Sequence, residues 1–515
     1  MPTLYRIFGL LLLYCYSSYI AGKKTFEAGT NETTIRHKNV CGMAFIRHKN
    51  VQNFNLFVSK RCIYLYSQKK ISNFAAILII RYMKRQVFAQ LVAWKNRPDG
   101  ERKPLILEGA RQTGKTWLAR ELGRTEFADF VEVNFEKMAE ARSLFEANFD
   151  LHRILMAIQA ITGKRIVAGR TLLFFDEIQF ARRGLLSLKY FYDEMPELHI
   201  IAAGSLLGVI DHKDDSFPVG KVSFVSVYPL CFTEFLSAID REGMADILQS
   251  KDTAAIDAFS ATYIDLLRQY FYVGGMPEAV KTYAGQMDYK AVRRVQNEIL
   301  KAYRNDFSNH PPKEIVKRML MLWEAIPAQL AKENRKFVYT AVKTGARARD
   351  YETAIQWLCD AGVVYKITRV RSGELPLRGF EDIDAFKLYT LDIGLHGAMS
   401  GLDAATMVTG NELFLQYKGA LTEQFILQEL RSMADTEIHY WSPDSSRAEM
   451  DFVVQQEGHV IPIEVKAEQH LKAKSIPVYI AQNHPQRVIR TSLAPYHKGE
   501  TIEDIPLYAF SSMIQ

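Results

Sequence analysis

The octet Gly109-Ala110-Arg111-Gln112-Thr113-Gly114-Lys115-Thr116 has the G-x-x-x-x-G-K-[ST] spacing, whose chemistry is the cradling of phosphate. Its glycines let the backbone turn tightly and bring N–H groups against phosphate oxygens, and the dipole of a following helix adds to the attraction. Lys115 then reaches the β- and γ-phosphates, and the Thr116 hydroxyl is an oxygen ligand for Mg²⁺. A second group, Asp176-Glu177, closes the apolar run Thr171-Leu172-Leu173-Phe174-Phe175. In that place Asp176 belongs to the Mg²⁺ shell, and Glu177 polarises the water that attacks a γ-phosphate. Gly204-Ser205 ends a third apolar run, His199-Ile200-Ile201-Ala202-Ala203, and its Ser205 hydroxyl is a candidate γ-phosphate sensor. The chain carries no base-reading N-K-x-D element, which favours ATP over GTP.

A third set of charged residues lies late in the chain. Ala448-Glu449-Met450-Asp451-Phe452-Val453-Val454 and Val460-Ile461-Pro462-Ile463-Glu464-Val465-Lys466 read as two strands, and a two-residue period puts Glu464 and Lys466 on one face. The turn at Gly458 makes them a hairpin in which Asp451 lies across from Glu464. Leu421-Thr422-Glu423-Gln424-Phe425 reads as the opening of a helix, with Glu423 able to face the same pocket. Carboxylates so spaced hold Mg²⁺ and a nearby lysine activates water, which is the chemistry of phosphodiester cleavage. Both strands are otherwise apolar, and charged residues are rarely placed in such surroundings without partners.

The elements that position these groups follow from the pattern. Pro104-Leu105-Ile106-Leu107-Glu108 is a buried strand before the octet, and Trp117 to Leu122 has helical spacing after it. Strand, loop and helix therefore come in the order a phosphate loop needs. The fold class is α/β: a parallel sheet with helices, then a helical and winged-helix region, then a C-terminal α/β domain. The reading divides the chain at 1–82, 83–240, 241–312, 313–372 and 373–515. Within 313–372, Glu314 to Leu330 is an amphipathic helix, Thr340 to Gly345 a short helix and turn, Ala348 to Ala361 a second helix, and Val363 to Val370 a strand. Lys343, Arg347 and Arg349 sit where a recognition helix would begin, in reach of DNA phosphates or bases.

With these residues in view, the chain from about Met83 onward resembles the AAA-type predicted ATPases of bacteria and archaea whose C-terminal half is a DUF4143 domain. The resemblance is carried by Gly109 to Thr116, Leu172 to Gln179, Phe217-Pro218-Val219-Gly220-Lys221-Val222, Tyr228 to Phe235, Val273-Gly274-Gly275-Met276-Pro277-Glu278-Ala279 and Phe386 to Leu395. Relatives often carry Gly-Arg at the position of Gly220-Lys221. Glu423, Asp451, Glu464 and Lys466 are similar to the helix acid, first-strand acid and E-x-K of the PD-(D/E)xK nucleases, which implies a restriction-endonuclease-like C-terminal fold. The resemblance implies a Mg²⁺-dependent ATPase coupled to DNA binding or DNA cleavage in a mobile-element or defence setting. The alternative it leaves open is an ATP-dependent switch that binds a protein partner and cleaves nothing. A remodelling motor would need further copies of the chain and an arginine finger, for which Arg182 and Arg183 are candidates.

The 515 residues carry a net charge of +7, with 48% hydrophobic and 24% charged residues, which are ordinary globular values. Residues 1–82 hold 12 Lys and Arg against 2 Asp and Glu, and the remainder holds 53 against 56. The basicity belongs to the leader, so net charge does not argue for DNA at the main body. The leader has an apolar stretch, Ile7 to Ala21, and a hexapeptide that occurs twice, Ile35 to Val40 and Ile46 to Val51. It is read as an upstream extension of a reading frame that starts at Met83; a tether using Ile7 to Ala21 and Phe74 to Ile80 is the alternative, and no other membrane association is expected. Cys231 and Cys359 lie far apart with no C-x-x-C, so neither zinc nor a disulfide framework is indicated, and the compartment reads as reducing cytoplasm.

Overall fold

The computed structural model describes residues 84–204, 217–309, 311–331, 336–404, 412–433, 436–444, 448–456, 458–468 and 474–514, together with five strands between residues 25 and 67. The chain divides into two compact units at Met83. In the first, strands β1 (Thr25–Thr30), β2 (Thr33–Lys38), β3 (Met43–His48), β4 (Phe54–Val58) and β5 (Ile63–Ser67) form an antiparallel meander. The first residues of the two hexapeptide copies, Ile35 and Ile46, stand opposite each other there. Both apolar stretches of the leader lie outside the described residues.

The second unit opens with a five-stranded sheet: β6 (Leu105–Glu108), β7 (Asp129–Asn134), β8 (Thr171–Asp176), β9 (His199–Ala203) and β10 (Ser223–Ser226). Every pairing is parallel, and the spatial order is β10-β6-β9-β8-β7. The unbroken apolar runs of β8 and β9 are buried along their whole length, as strands covered on both faces must be. Alternation divides β8 between two cores. Leu172 and Phe174 pack under α1 (Val87–Lys95) and α2 (Lys115–Glu126) with Leu91, Trp94, Leu118 and Leu122. Leu173 and Phe175 pack on the other face under α3 (Leu151–Thr162) and α4 (Gly184–Glu194) with Ile154, Ile158, Leu188 and Phe191. Each such side chain contributes roughly 1.5–3 kcal/mol on leaving water, so the strand ends that carry the chemistry are held rigidly.

A helical region follows, including α5 (Phe232–Ala238), α6 (Ser260–Val273), α7 (Pro277–Gln286), α8 (Tyr289–Asn309), α9 (Lys313–Leu330) and α10 (Ala348–Asp360). Beyond α10, β11 (Val364–Val370) and β12 (Glu381–Thr390) form an antiparallel hairpin. That hairpin is continuous with the last sheet, because Arg369 and Val370 of β11 pair parallel with Tyr440 and Trp441. The sheet is completed by β13 (Glu437–Trp441), β14 (Met450–Gln456), β15 (His459–Val465), β16 (Val488–Ser492), β17 (His497–Lys498) and β18 (Ile502–Pro506). Its order is β12-β11-β13-β14-β15-β16-β18-β17, and its strands run in both directions. Helices that serve it include α11 (Ile393–Met399), α12 (Glu412–Arg431) and Ser475–Asn483, whose Ile476 and Tyr479 pack with Trp441 and Val453. The expectation that Leu421 opens a helix is corrected: α12 already runs at Glu412 and Glu423 lies in its interior. Gly419 inside it costs about 1 kcal/mol relative to alanine, and burial of Leu421, Phe425, Ile426 and Leu430 offsets that several-fold.

One buried carboxylate ties these parts together. Asp392, wholly buried before α11, accepts hydrogen bonds from Gly275 N at 2.6 Å, Leu395 N at 2.9 Å and Gln428 Nε2 at 3.2 Å. Gln428, on α12, also donates to the Tyr270 hydroxyl at 2.8 Å and accepts from Ile393 N at 2.9 Å. The Gly274-Gly275 turn between α6 and α7, the start of α11 and the end of α12 are thereby one hydrogen-bonded joint.

Candidate functional site

The phosphate loop leaves the C-terminal end of β6, where the chain's neighbours on the two sides, β10 and β9, come from later in the sequence. Ligands of open parallel sheets lie in the crevice at such a point. Gly109 has φ 132° and any Cβ there would collide with the carbonyl oxygen of Val227. Gly114 has φ 101° and is the residue before α2, so the loop's N–H groups and the helix N-terminus face the same space. Lys115 folds back over the loop, its Nζ donating to the carbonyls of Gly109 at 2.9 Å and Ala110 at 2.8 Å. Burial lowers its pKa to about 8, against the opposing pull of the Glu177 charge. The Thr113 hydroxyl bonds Ala110 O at 3.0 Å.

Asp176 ends β8 directly beside this loop. Its Oδ1 accepts from the Thr116 hydroxyl at 3.1 Å and its Oδ2 from Asn134 Nδ2 at 2.9 Å. Burial raises the Asp176 pKa, the neighbouring Glu177 charge adds to that, and the two hydrogen bonds oppose it. A hydroxyl and a carboxylate in contact at the mouth of the loop are two hard oxygen donors, and the set fits Mg²⁺. Glu177 has left-handed backbone, φ 52°, and its Oε2 accepts from Gln179 Nε2 at 2.6 Å.

Residues that the motif does not announce hold the loop in shape. Arg85 donates to Thr113 O at 3.1 Å and Tyr228 O at 2.6 Å and is ion-paired with Glu234 at 3.2 Å. Arg111 pairs with Asp306 of α8 at 2.8 Å, and the Tyr303 hydroxyl donates to Arg111 O at 2.8 Å. Pro277, the first residue of α7, lies with its Cγ 3.6 Å from where a Cβ on Gly114 would stand. Only Asn134 leaves a sequence signal, as a polar residue closing an otherwise strand-like run; Arg85, Tyr303 and Asp306 are distant in sequence and carry none.

Four other candidates resolve differently. Ser205 lies outside the described residues. Lys221 pairs with Asp193 at 2.6 Å on the surface. Arg183 lies over the Phe149 ring at 4.3 Å and donates to Glu146 O at 3.2 Å, whereas Arg182 is exposed.

Residues 101–236 match the model of an AAA domain. This stretch is similar to AAA domains and carries their P-loop sheet. Residues 264–406 match a domain of unknown function, DUF8612, and residues 418–510 a second, DUF4143. No curated protein matches. Among solved structures, the Walker-type ATPase of Pyrococcus abyssi is 14% identical over 62% of this chain and 96% of its own, with a TM-score of 0.38. The RuvB Holliday junction branch migration motor of Thermotoga maritima is 13% identical over 55% and 89%, with a TM-score of 0.28. Cdc6p from Pyrobaculum aerophilum is 14% identical over 63% and 96%, with a TM-score of 0.22.

In the region matched by DUF4143, β14 and β15 pair antiparallel with Phe452 opposite Ile463, and the same register puts Asp451 opposite Glu464. Asp451 Oδ2 accepts from Val465 N at 2.7 Å. Lys466 Nζ donates to Glu464 Oε1 at 2.5 Å, while the buried Glu464 Oε2 has no hydrogen-bond partner among the described residues. Burial raises the Glu464 pKa to about 7, with Asp451 adding and Lys466 opposing. Glu423 enters this neighbourhood indirectly. It accepts from the Tyr389 hydroxyl at 3.1 Å and lies 3.8 Å from Lys387 Nζ, which also pairs with Glu449 at 2.6 Å. Lys387 is wholly buried on β12 and sequence reasoning gave it no role, since its partners come from α12 and the approach to β14. Among the described residues, no three His, Cys, Asp or Glu side chains converge as a metal cage. Lys343, Arg347 and Arg349 are exposed at the N-terminal end of α10. No helix among the described residues is long and apolar enough to cross a membrane.

Proposed function

We propose that the chain is an ATPase whose P-loop domain hydrolyses ATP and whose nucleotide state governs a DNA-engaging, phosphodiester-cleaving site in the C-terminal sheet. The observation that carries the first part is the contact of Thr116 with Asp176, which joins the phosphate loop and the acid-tipped strand into one mouth with Lys115 and Glu177 on its rim. Backbone N–H groups of residues 112–116 and the Lys115 ammonium bind and orient the phosphates, and Glu177 accepts a proton from the attacking water. Thr116 and Asp176 would hold Mg²⁺, which would neutralise charge on the phosphate oxygens.

Support for the second part is the pairing of Asp451, Glu464 and Lys466 in a mostly apolar sheet, with one buried Glu464 oxygen left for a cation. There Lys466 would orient water, and Asp451 and Glu464 would hold Mg²⁺. Lys343, Arg347 and Arg349 would make phosphate contacts that place DNA without reading its sequence. Communication would run through α12, which carries Glu423 on the cleavage side. Toward the ATPase, the same helix presents Gln428 and Glu429, and Glu429 accepts from Phe232 N at 2.8 Å.

The test is nucleotide binding by the wild type and Lys115→Ala. The substitution should weaken ATP binding at least about 100-fold, the loss of charge-assisted hydrogen bonds to phosphate. Unchanged affinity would remove the loop from the account.

A further inference from the structure

Glu177 stands at the end of a strand on a carboxylate arm whose rotamers would leave its oxygens in several places, yet water attack needs one of them in line with phosphorus. The turn that follows β8 removes that freedom. Phe180 N bonds Glu177 O at 3.0 Å and Ala181 N bonds Ile178 O at 2.9 Å, closing a short helical turn that carries Gln179 back toward the glutamate. Gln179 Nε2 then donates to Glu177 Oε2 at 2.6 Å. An amide has a donor end and an acceptor end, so committing the nitrogen to the carboxylate turns Oε1 elsewhere. That oxygen is buried and has no hydrogen-bond partner among the described residues.

We infer that Gln179 is the positioning residue for Glu177 in this ATPase: its N–H holds the carboxylate in the one orientation from which Glu177 can take the proton of the attacking water. The inference rests on the ATPase reading above. In the step itself the water oxygen bonds the γ-phosphorus as the bond to the β,γ-bridging oxygen breaks. ADP leaves with that electron pair, the water proton passes to Glu177 and on to solvent, and Gln179 ends unchanged. A residue that only stabilised the turn would act on folding and nucleotide affinity, whereas this one acts on turnover.

The experiment compares wild type, Gln179→Met, which keeps the length without hydrogen bonds, and Gln179→Glu, which loses the donor and sets a second carboxylate beside Glu177. Phosphate release gives kcat and KM, titration with a fluorescent ATP analogue gives Kd, and thermal unfolding gives Tm. Both variants should lose about 100-fold in kcat with Kd within about twofold of wild type and Tm unchanged. Gln179→Met turning over at the wild-type rate would overturn the inference while leaving the ATPase reading intact. A drop in kcat matched by weaker binding and a lower Tm would overturn it in favour of a structural role. A wild type that binds nucleotide but releases no phosphate would bring down the ATPase reading, and the inference with it.

Discussion

Replacing Asp392 by alanine should loosen the joint between the helical region and the C-terminal domain and be felt at the nucleotide. Its carboxylate is wholly buried and accepts from Gly275 N, Leu395 N and Gln428 Nε2. Truncation strands the Gly275 and Leu395 N–H groups, while Gln428 Nε2 keeps the Tyr270 hydroxyl. At roughly 1–3 kcal/mol for each donor left unsatisfied, the loss is about 2–6 kcal/mol. For a unit spanning Lys84–Gln515 that lowers Tm by roughly 2–7 °C. Asp392→Asn keeps one acceptor and should lose about half as much. Because Gly275 is followed within two residues by Pro277, which packs beside Gly114, the ATP Kd should rise several-fold as well. Thermal unfolding followed by circular dichroism, with nucleotide titration at a temperature where both variants are folded, measures both effects. Asp392→Ala unfolding within about 1 kcal/mol of wild type would refute the reasoning, since two buried N–H groups without an acceptor cost more than that.

Glu429 supplies a pH dependence. Burial raises its pKa from 4.5 to about 7, so the folded state takes up a proton between those values that the unfolded chain does not. The stabilisation from the protonated carboxyl is complete below pH 4.5 and is lost as pH rises through 7, amounting to about 3 kcal/mol at 1.36 kcal/mol per pKa unit. Glu429→Gln should lack that decline and be the more stable protein at pH 8, which unfolding at pH 5 and pH 8 would check; a parallel decline in both proteins would contradict it. At the other site, Asp451→Ala and Lys466→Ala should each abolish cleavage of plasmid DNA in Mg²⁺ or Mn²⁺ and leave ATP turnover within about twofold of wild type. Cleavage retained by both would exclude this site.

How much of this was written in the sequence depends on how far apart the partners lie. The phosphate loop was legible because its eight residues, the strand before and the helix after are contiguous. The β14–β15 hairpin was legible too, since one turn fixes its register and brings Asp451 opposite Glu464. What stayed hidden depends on packing between distant segments. The pairing of Asn134 with Asp176 exists only because β7 and β8 run in register. Lys387 finds Glu423 and Glu449 across a helix and a strand, and the two quoted runs around Gly274-Gly275 and Asp392 give no sign in sequence that they bond each other. The start of α12 was misplaced: the helix begins at Glu412, and its interior Gly419 is carried by the apolar face that follows.

The central claim is tested most directly by phosphate release from ATP in Mg²⁺ by wild type and Glu177→Gln, with nucleotide affinity measured on the same samples. The account predicts that the variant binds ATP as the wild type does and hydrolyses it at least about 100-fold more slowly, since removal of a general base costs about 10²–10⁴-fold. Equal hydrolysis by the two proteins would contradict it.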